Sequence, residues 1–303
     1  MRARDRLRIF IGAHEIWFER LKNGFFCLLF LLVVAGYFGY AEAPSSWWVI
    51  LLLTVAGIFL PQSASTMVIL IDLLLNLLAL SSDVAIGALI IILLSYLFCG
   101  VYQSGRLHYL PEMSALFVLR CPFVVPMEAA LLGSSNDVVA VICGGVFSFY
   151  LKEVHDNAAL FSDTGTAAAL TAARLITDNM VSNPLFYVYM AAIIVMFLTV
   201  YVIRGLNIAN SWLVGVIAGV FAELFIMLAG YMLLGLNDRI LILILANAFC
   251  LFVGIMTVLV FLDLDYGRIE KVQFEDDDYY YYVTAVPKIR LAEEEKEIKK
   301  IED

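Results

Sequence analysis

Residues 115–134 read ALFVLRCPFVVPMEAALLGS, and whether they cross a membrane or interrupt one decides the fold. The stretch has the length of a transmembrane helix, which needs roughly 20 residues to traverse a ~30 Å hydrocarbon core. It also contains Arg120, Pro122, Pro126 and Glu128. Proline removes an intrahelical hydrogen bond and clashes with the preceding turn, so Cys121-Pro122 and Val125-Pro126 predict a kink or a break. Hydrocarbon has no water for the carbonyls that a break exposes, so something in the protein must donate to them.

The surrounding chain is of the same material. It has 303 residues, 63% hydrophobic and 16% charged, with a mean hydropathy of +0.91, against roughly 45–50% and about 25% for soluble domains. Residues 1–23 carry six basic and three acidic groups and residues 263–303 seven and thirteen, which leaves only six and twelve for the 239 residues between. Disordered, collagen-like, disulfide-stapled and nucleic-acid-binding proteins are excluded by this distribution. The chain is an all-α polytopic integral membrane protein whose first partner is the lipid bilayer.

Gly24–Ala41, Val84–Val101, Leu185–Ile203, Trp212–Gly235 and Ile240–Leu262 are unbroken apolar runs, each long enough for one span. Trp47–Leu60 and Met67–Leu80 are only 14 residues each, separated by Pro61–Thr66. They read as two half-helices, two short spans or one long tilted helix. After residues 115–134 comes Ser135-Asn136-Asp137 and then Val138–Leu151 with a Gly144-Gly145 pair. About eight to nine transmembrane helices result, some of them short or broken; re-entry of one region would give seven. Basic residues concentrate on the cytoplasmic side, so the arginine-rich N-terminus is placed there, in what reads as a bacterial plasma membrane. The nine-span arrangement, the favoured one, puts Arg106, Lys152, Arg174 and Arg239 with the N-terminus and Arg204 opposite.

Three segments follow: an amphipathic interfacial helix in 1–23, with Phe10, Ala13, Trp17 and Leu21 on one face; the membrane domain, 24–262; and an acidic, tyrosine-rich soluble tail, 263–303. Within the tail, Val272-Gln273-Phe274 and Tyr279–Val286 are β-prone arms around Glu275-Asp276-Asp277-Asp278, and a soluble or membrane protein partner is expected there. Leu291–Asp303 reads as a charged helix, and Ser162–Asp178 as a surface helix stopped by Asn183-Pro184. The five cysteines lie in apolar runs without pairing motifs, as small hydrophobes.

Ionisable residues within spans are costly and by default mark function. Here they are Asp72, Arg120, Glu128 and Glu223. Asn76 follows Asp72 by one turn and extends a polar face from Ser65. Gly215 and Gly219 lie on one face with Glu223, at spacing that allows close helix packing. Each has a structural alternative: a packing hydrogen bond for Asp72 and Asn76, a hydrogen-bonded acid for Glu223, and an interfacial position for Arg120. Three acids against one base point to H⁺ or Na⁺ coupling, or to a cationic substrate.

No His-Glu-x-x-His, Gly-x-Ser-x-Gly, Walker motif or paired membrane aspartates occur among the three histidines (His14, His108, His155) and the acids, so no enzyme, metal or cofactor is expected. The sequence reads as a multi-pass transport protein: a permease or secondary transporter, H⁺ or cation coupled, or the membrane subunit of a larger transporter. Asp72, Asn76, Arg120, Glu128 and Glu223 would form its small-molecule or ion site. The alternative is a non-catalytic membrane scaffold for envelope assembly or secretion.

Overall fold

A computed structural model describes residues 14–102, 106–161, 169–206, 208, 210–259, 270–275 and 280–285. Its helices are α1 (Glu15–Tyr37), α2 (Trp47–Phe59), α3 (Gln62–Leu80), α4 (Ser82–Val101), α5 (Tyr109–Val118), α6 (Val124–Leu132), α7 (Asp137–Asp156), α8 (Ala158–Phe161), α9 (Ala169–Ser182), α10 (Pro184–Arg204), α11 (Ser211–Leu233) and α12 (Ile240–Thr257), the last preceded by a 3₁₀ turn at Asn237–Arg239. Among the described residues seven of these are long and apolar enough to cross a membrane, and Trp47–Phe59 is a shorter apolar helix. The protein is a polytopic α-helical membrane protein.

Side-chain contacts fix how the chain is threaded. Gly24 packs on Ile58 and the Cys27 thiol meets Leu53 O at 3.6 Å, so α1 and α2 are antiparallel. Asn76 near the end of α3 accepts from Ser45 Oγ at 2.9 Å, in the connection that follows α1. The two short apolar stretches are therefore two separate crossings. At 13 residues α2 rises only ~20 Å. It begins at an exposed, stacked Trp47–Trp48 pair, the residue type that anchors helix ends at a membrane interface.

The Tyr150 hydroxyl, near the end of α7, donates to Val84 O at the start of α4, so those helices are antiparallel. By contrast α5 runs parallel to α7, because Tyr109 and Met113 pack on Gly144 and Ser114 meets Ser148. In turn α6 runs parallel to α10, with Phe123 against Tyr189 at one end and Arg204 bonded to Leu131 O at the other. Since α7 and α10 are successive crossings, α5 and α6 point in opposite directions. Residues 106–133 form a helical hairpin that enters and leaves by one face.

This corrects the nine-span arrangement. The proline-bearing stretch does not cross, α2 and α3 both do, and eight crossings leave the start of α1 and the end of α12 on the same face, called here the N-terminal face. Arg204 joins Arg106 on that face. Lys152 and Arg239, expected there, lie at the opposite face, as does Arg174, because α9 joins the end of α7 to the start of α10. At the ends of the chain, the expectation for the N-terminal segment changes, whereas the two β-prone arms of the tail do pair. From Glu15 onward the proposed interfacial helix is continuous with the first span, and residues 1–13 lie outside the described residues. In the tail, β1 (Glu270–Glu275) pairs antiparallel with β2 (Tyr280–Ala285), in register from Glu270–Ala285 to Glu275–Tyr280. Leu291–Asp303, and the 162–168 part of the surface helix, lie outside the described residues.

The α10–α11 pair makes the most extensive helix contact among the described residues, and small residues permit it. A methyl group added at Gly219 would sit 2.4 Å from Val200 Cγ2, and one at Gly215 3.3 Å from Val200 O, whereas one at Gly36 meets nothing within 4 Å. Gly219→Ala is expected to lower the apparent unfolding temperature in detergent, by an overpacking cost of about 1–3 kcal/mol. Gly36→Ala is expected to leave that temperature unchanged or to raise it through a stability gain of up to about 1 kcal/mol, since alanine is the better helix former. Differential scanning fluorimetry of the two variants checks the pair.

Candidate functional site

The hairpin has a root and a tip, and both are built to satisfy its backbone. At the root, the last carbonyls of α6 have no partner in their own helix. Arg204, from the end of α10, donates to Leu131 O and, at 2.6 Å, to Gly133 O. Arg106 reaches Leu132 O at 3.4 Å, bonds the Tyr109 hydroxyl at 2.9 Å and pairs with Asp137 at 3.4 Å. Asp137 in turn accepts from Ser134 N at 2.7 Å. Two guanidiniums thus close the base of the hairpin, a role suited to a group with five donors. His108 lies in the same connection, and burial, with the nearby Arg106 and Lys22 charges, pushes it down to about 4.

At the tip, α5 ends in a Schellman turn. Cys121 N donates to Leu116 O at 2.8 Å and Arg120 N to Phe117 O at 3.1 Å. The turn places Arg120 at φ 65°. Glycine adopts that left-handed conformation freely, whereas other residues lose roughly 1–2 kcal/mol in it. Pro122, without an N–H, then prevents α5 from continuing. An arginine therefore stands where the backbone alone would select glycine.

A cavity of about 180 Å³ lies at this tip, toward the opposite face. It is lined by Arg120, Pro122 and Phe123 of the hairpin, by Phe149, Lys152 and Asp156 of α7, by Tyr189 of α10, by Tyr231 of α11 and by Arg239. Lys152 Nζ is held by Glu153 and Asp156, each at 2.9 Å. Among the described residues neither Arg120 nor Arg239 forms an ion pair. The Tyr189 hydroxyl, on a residue only 3% exposed, has no hydrogen-bond partner among the described residues.

Of the acids expected to share this site with Arg120, none lines it. Asp72 is buried in α3 beside Cys27 of α1. Asn76 is fully buried and committed to structure: its Nδ2 donates to Asp72 O at 3.0 Å, and its Oδ1 accepts from Ala41 N at 3.4 Å and from Ser45 Oγ. Glu128 accepts from Thr257 Oγ1 at 2.7 Å across the α6–α12 contact. Glu223 is 0% exposed, follows Gly215 and Gly219 on their face of α11, and has Tyr189 and Asn247 as neighbours. Both of its carboxylate oxygens, and Asn247 Oδ1, lack a hydrogen-bond partner among the described residues. Tyr189 is therefore common to the cavity and to the Glu223 cluster. Glu223 and Glu128 both lie near Cys250, whereas Asp72 belongs to a different helix pair.

A second cavity of about 30 Å³, room for one water, lies near the N-terminal face between Gln62, Ser65, Thr66, His108 and Glu112. Among the described residues no group of three or more potential metal ligands occurs. Sequence reasoning missed Arg239, which reads as a loop charge, and Tyr189, hidden in an apolar run. No protein-family model, curated protein or solved structure matches this chain.

Root and tip make opposite demands on stability. Arg204→Leu strands two carbonyls and is expected to destabilise by about 1–3 kcal/mol for each one left buried. Arg120→Gly removes the left-handed strain and is expected to stabilise by about 1 kcal/mol, whereas Arg120→Val should destabilise, as a β-branched residue is the least suited to φ > 0. Thermal unfolding of the three variants in detergent gives the order.

Proposed function

We propose that this chain is a multi-pass membrane transport protein, a permease, a secondary transporter or the membrane subunit of a larger transporter, with its solute cavity at the tip of the 106–133 hairpin. The observation that carries the reading is the break at Leu119–Phe123. Irregular backbone at membrane depth is tolerated where it lines a cavity or is buried in protein, and discontinuous helices are a recurring device of transporter sites. A non-glycine residue in a left-handed conformation, facing that cavity, is the kind of local strain that functional sites retain.

Orientation in a bacterial plasma membrane is part of the same proposal. Arg20, Lys22, Arg106 and Arg204 lie toward the N-terminal face, and Arg2, Arg4, Arg6 and Arg8 precede α1 in the sequence, against Lys152, Arg174 and Arg239 opposite. The positive-inside rule makes the N-terminal face cytoplasmic, so the cavity is directed outward. Glu223, a buried acid beside Asn247 and one side chain away from the cavity through Tyr189, is assigned the coupling of H⁺ or cation movement to solute. Asp72 and Glu128 take no part in the solute cavity in this reading.

One observation favours the scaffold alternative. Among the described residues the tail forms a two-stranded hairpin, and a lone hairpin in water is marginal, so a partner edge would stabilise it. Flux measurements separate the readings. Proteoliposomes on a solid-supported membrane, challenged with inorganic ions, amino acids and small carboxylates, are expected to give a solute-dependent current or pH change. Arg120→Gln and Glu223→Ala should each reduce it at least tenfold, while deletion of 270–303, which removes the tail hairpin, should leave it intact. Background signal across the whole panel contradicts transport.

A further inference from the structure

We infer that the tip cavity is a binding site for a small organic anion, a carboxylate on an apolar or aromatic body. The inference rests on the transport reading for its biological role, and on the geometry of the cavity for its chemistry. The acidic excess in the sequence points the other way, to a cation, but none of the excess acids lines this space.

The charges that do line it are Arg120, Lys152, Asp156 and Arg239. Lys152 and Asp156 form an ion pair with each other, and Glu153 adds a second acceptor to Lys152. That leaves two guanidiniums, Arg120 from the hairpin tip and Arg239 from the start of α12, which line the cavity together with Tyr231. Asp238, the acid next to Arg239 in sequence, makes no ion pair with it among the described residues. Two like charges converging on one space repel each other, and an anion placed between them removes the repulsion and supplies acceptors for their donors. A guanidinium matches a carboxylate in bidentate geometry.

The deep wall identifies the rest of the ligand. Tyr189 is almost completely buried, yet its hydroxyl has no hydrogen-bond partner among the described residues. A buried hydroxyl without a partner is disfavoured by about 1–3 kcal/mol, which a ligand oxygen in the cavity would relieve. Around it stand Phe117, Phe123 and Phe149, with ring centroids 5.2, 5.7 and 6.2 Å from that of Tyr189. Aromatic walls favour an apolar body through edge and stacked ring contacts. About 180 Å³ is the space of roughly six waters, below the ~300 Å³ lower bound of drug-sized pockets. A body the size of a single ring fits this space.

Equilibrium binding of benzoate to the purified full-length protein tests the site, with benzamide as its neutral isostere and benzylammonium as its cationic counterpart. Isothermal titration calorimetry is expected to detect benzoate and to give at least tenfold weaker binding of the other two. Arg120→Gln and Arg239→Gln should each weaken benzoate at least tenfold, and Tyr189→Phe by severalfold, with the unfolding temperature of each variant confirming that it is folded. Equal binding of benzamide, preferential binding of benzylammonium, undetectable benzoate binding to the wild type, or full affinity in folded Arg120→Gln would each overturn the inference. Benzoate binding without flux of any solute would retain the site and refute transport. Flux of neutral or cationic solutes without benzoate binding would do the reverse.

Discussion

A chain that turns back at membrane depth has to find a partner for every amide and carbonyl it exposes there, and this requirement organises the protein. The hairpin of α5 and α6 meets it with local and distant resources. Its tip is satisfied by its own backbone, through the turn that ends at Arg120 and Cys121. Its root is satisfied by Arg106, just ahead of α5, and by Arg204, which is far away in sequence. Once those carbonyls are held, the number of crossings is even, both ends of the membrane domain share a face, and Arg120 is delivered to the opposite side.

The sequence made most of this architecture legible, and where it failed the reason is the same distant partner. The five long apolar runs became α1, α4, α10, α11 and α12, because a run of that length leaves the backbone little choice in lipid. The short runs at 47–60 and 67–80 became two crossings, one made by a helix that the exposed Trp47–Trp48 pair helps to anchor. The break at Cys121-Pro122 was legible from proline chemistry. That the two halves fold back on each other was not, since nothing in residues 115–134 announces that Arg204 will cap them. A one-crossing error then inverted every later loop, and with it the sides assigned to Lys152, Arg204 and Arg239.

The candidate site was legible in part for a related reason. An ionisable residue in an apolar run is conspicuous, and Arg120 and Glu223 were found that way; Tyr189 and Arg239 carry no such signal. The acids did not gather into one site. Glu128 has Thr257, Asp72 lies against α1, and Asn76 pins the connection after α1 through Ser45. What remains within α10–α12 and the hairpin is a cationic, aromatic cavity toward one face and, behind it, the buried Glu223 beside Asn247, with Tyr189 common to both. Binding a solute at one and moving a proton or cation at the other would couple through that shared side chain.

The central claim is that Arg120 and the end of its own hairpin face opposite sides of the membrane. In a background in which the five native cysteines are replaced, Arg120→Cys and Ser135→Cys can each be reacted with a membrane-impermeant maleimide, applied to intact cells and to inverted vesicles. The account predicts that Ser135→Cys labels only in inverted vesicles, with the N-terminal face outward, and Arg120→Cys only in intact cells. Labelling of Ser135→Cys in intact cells, or of both positions from the same side, would contradict the hairpin and with it the cavity at its tip.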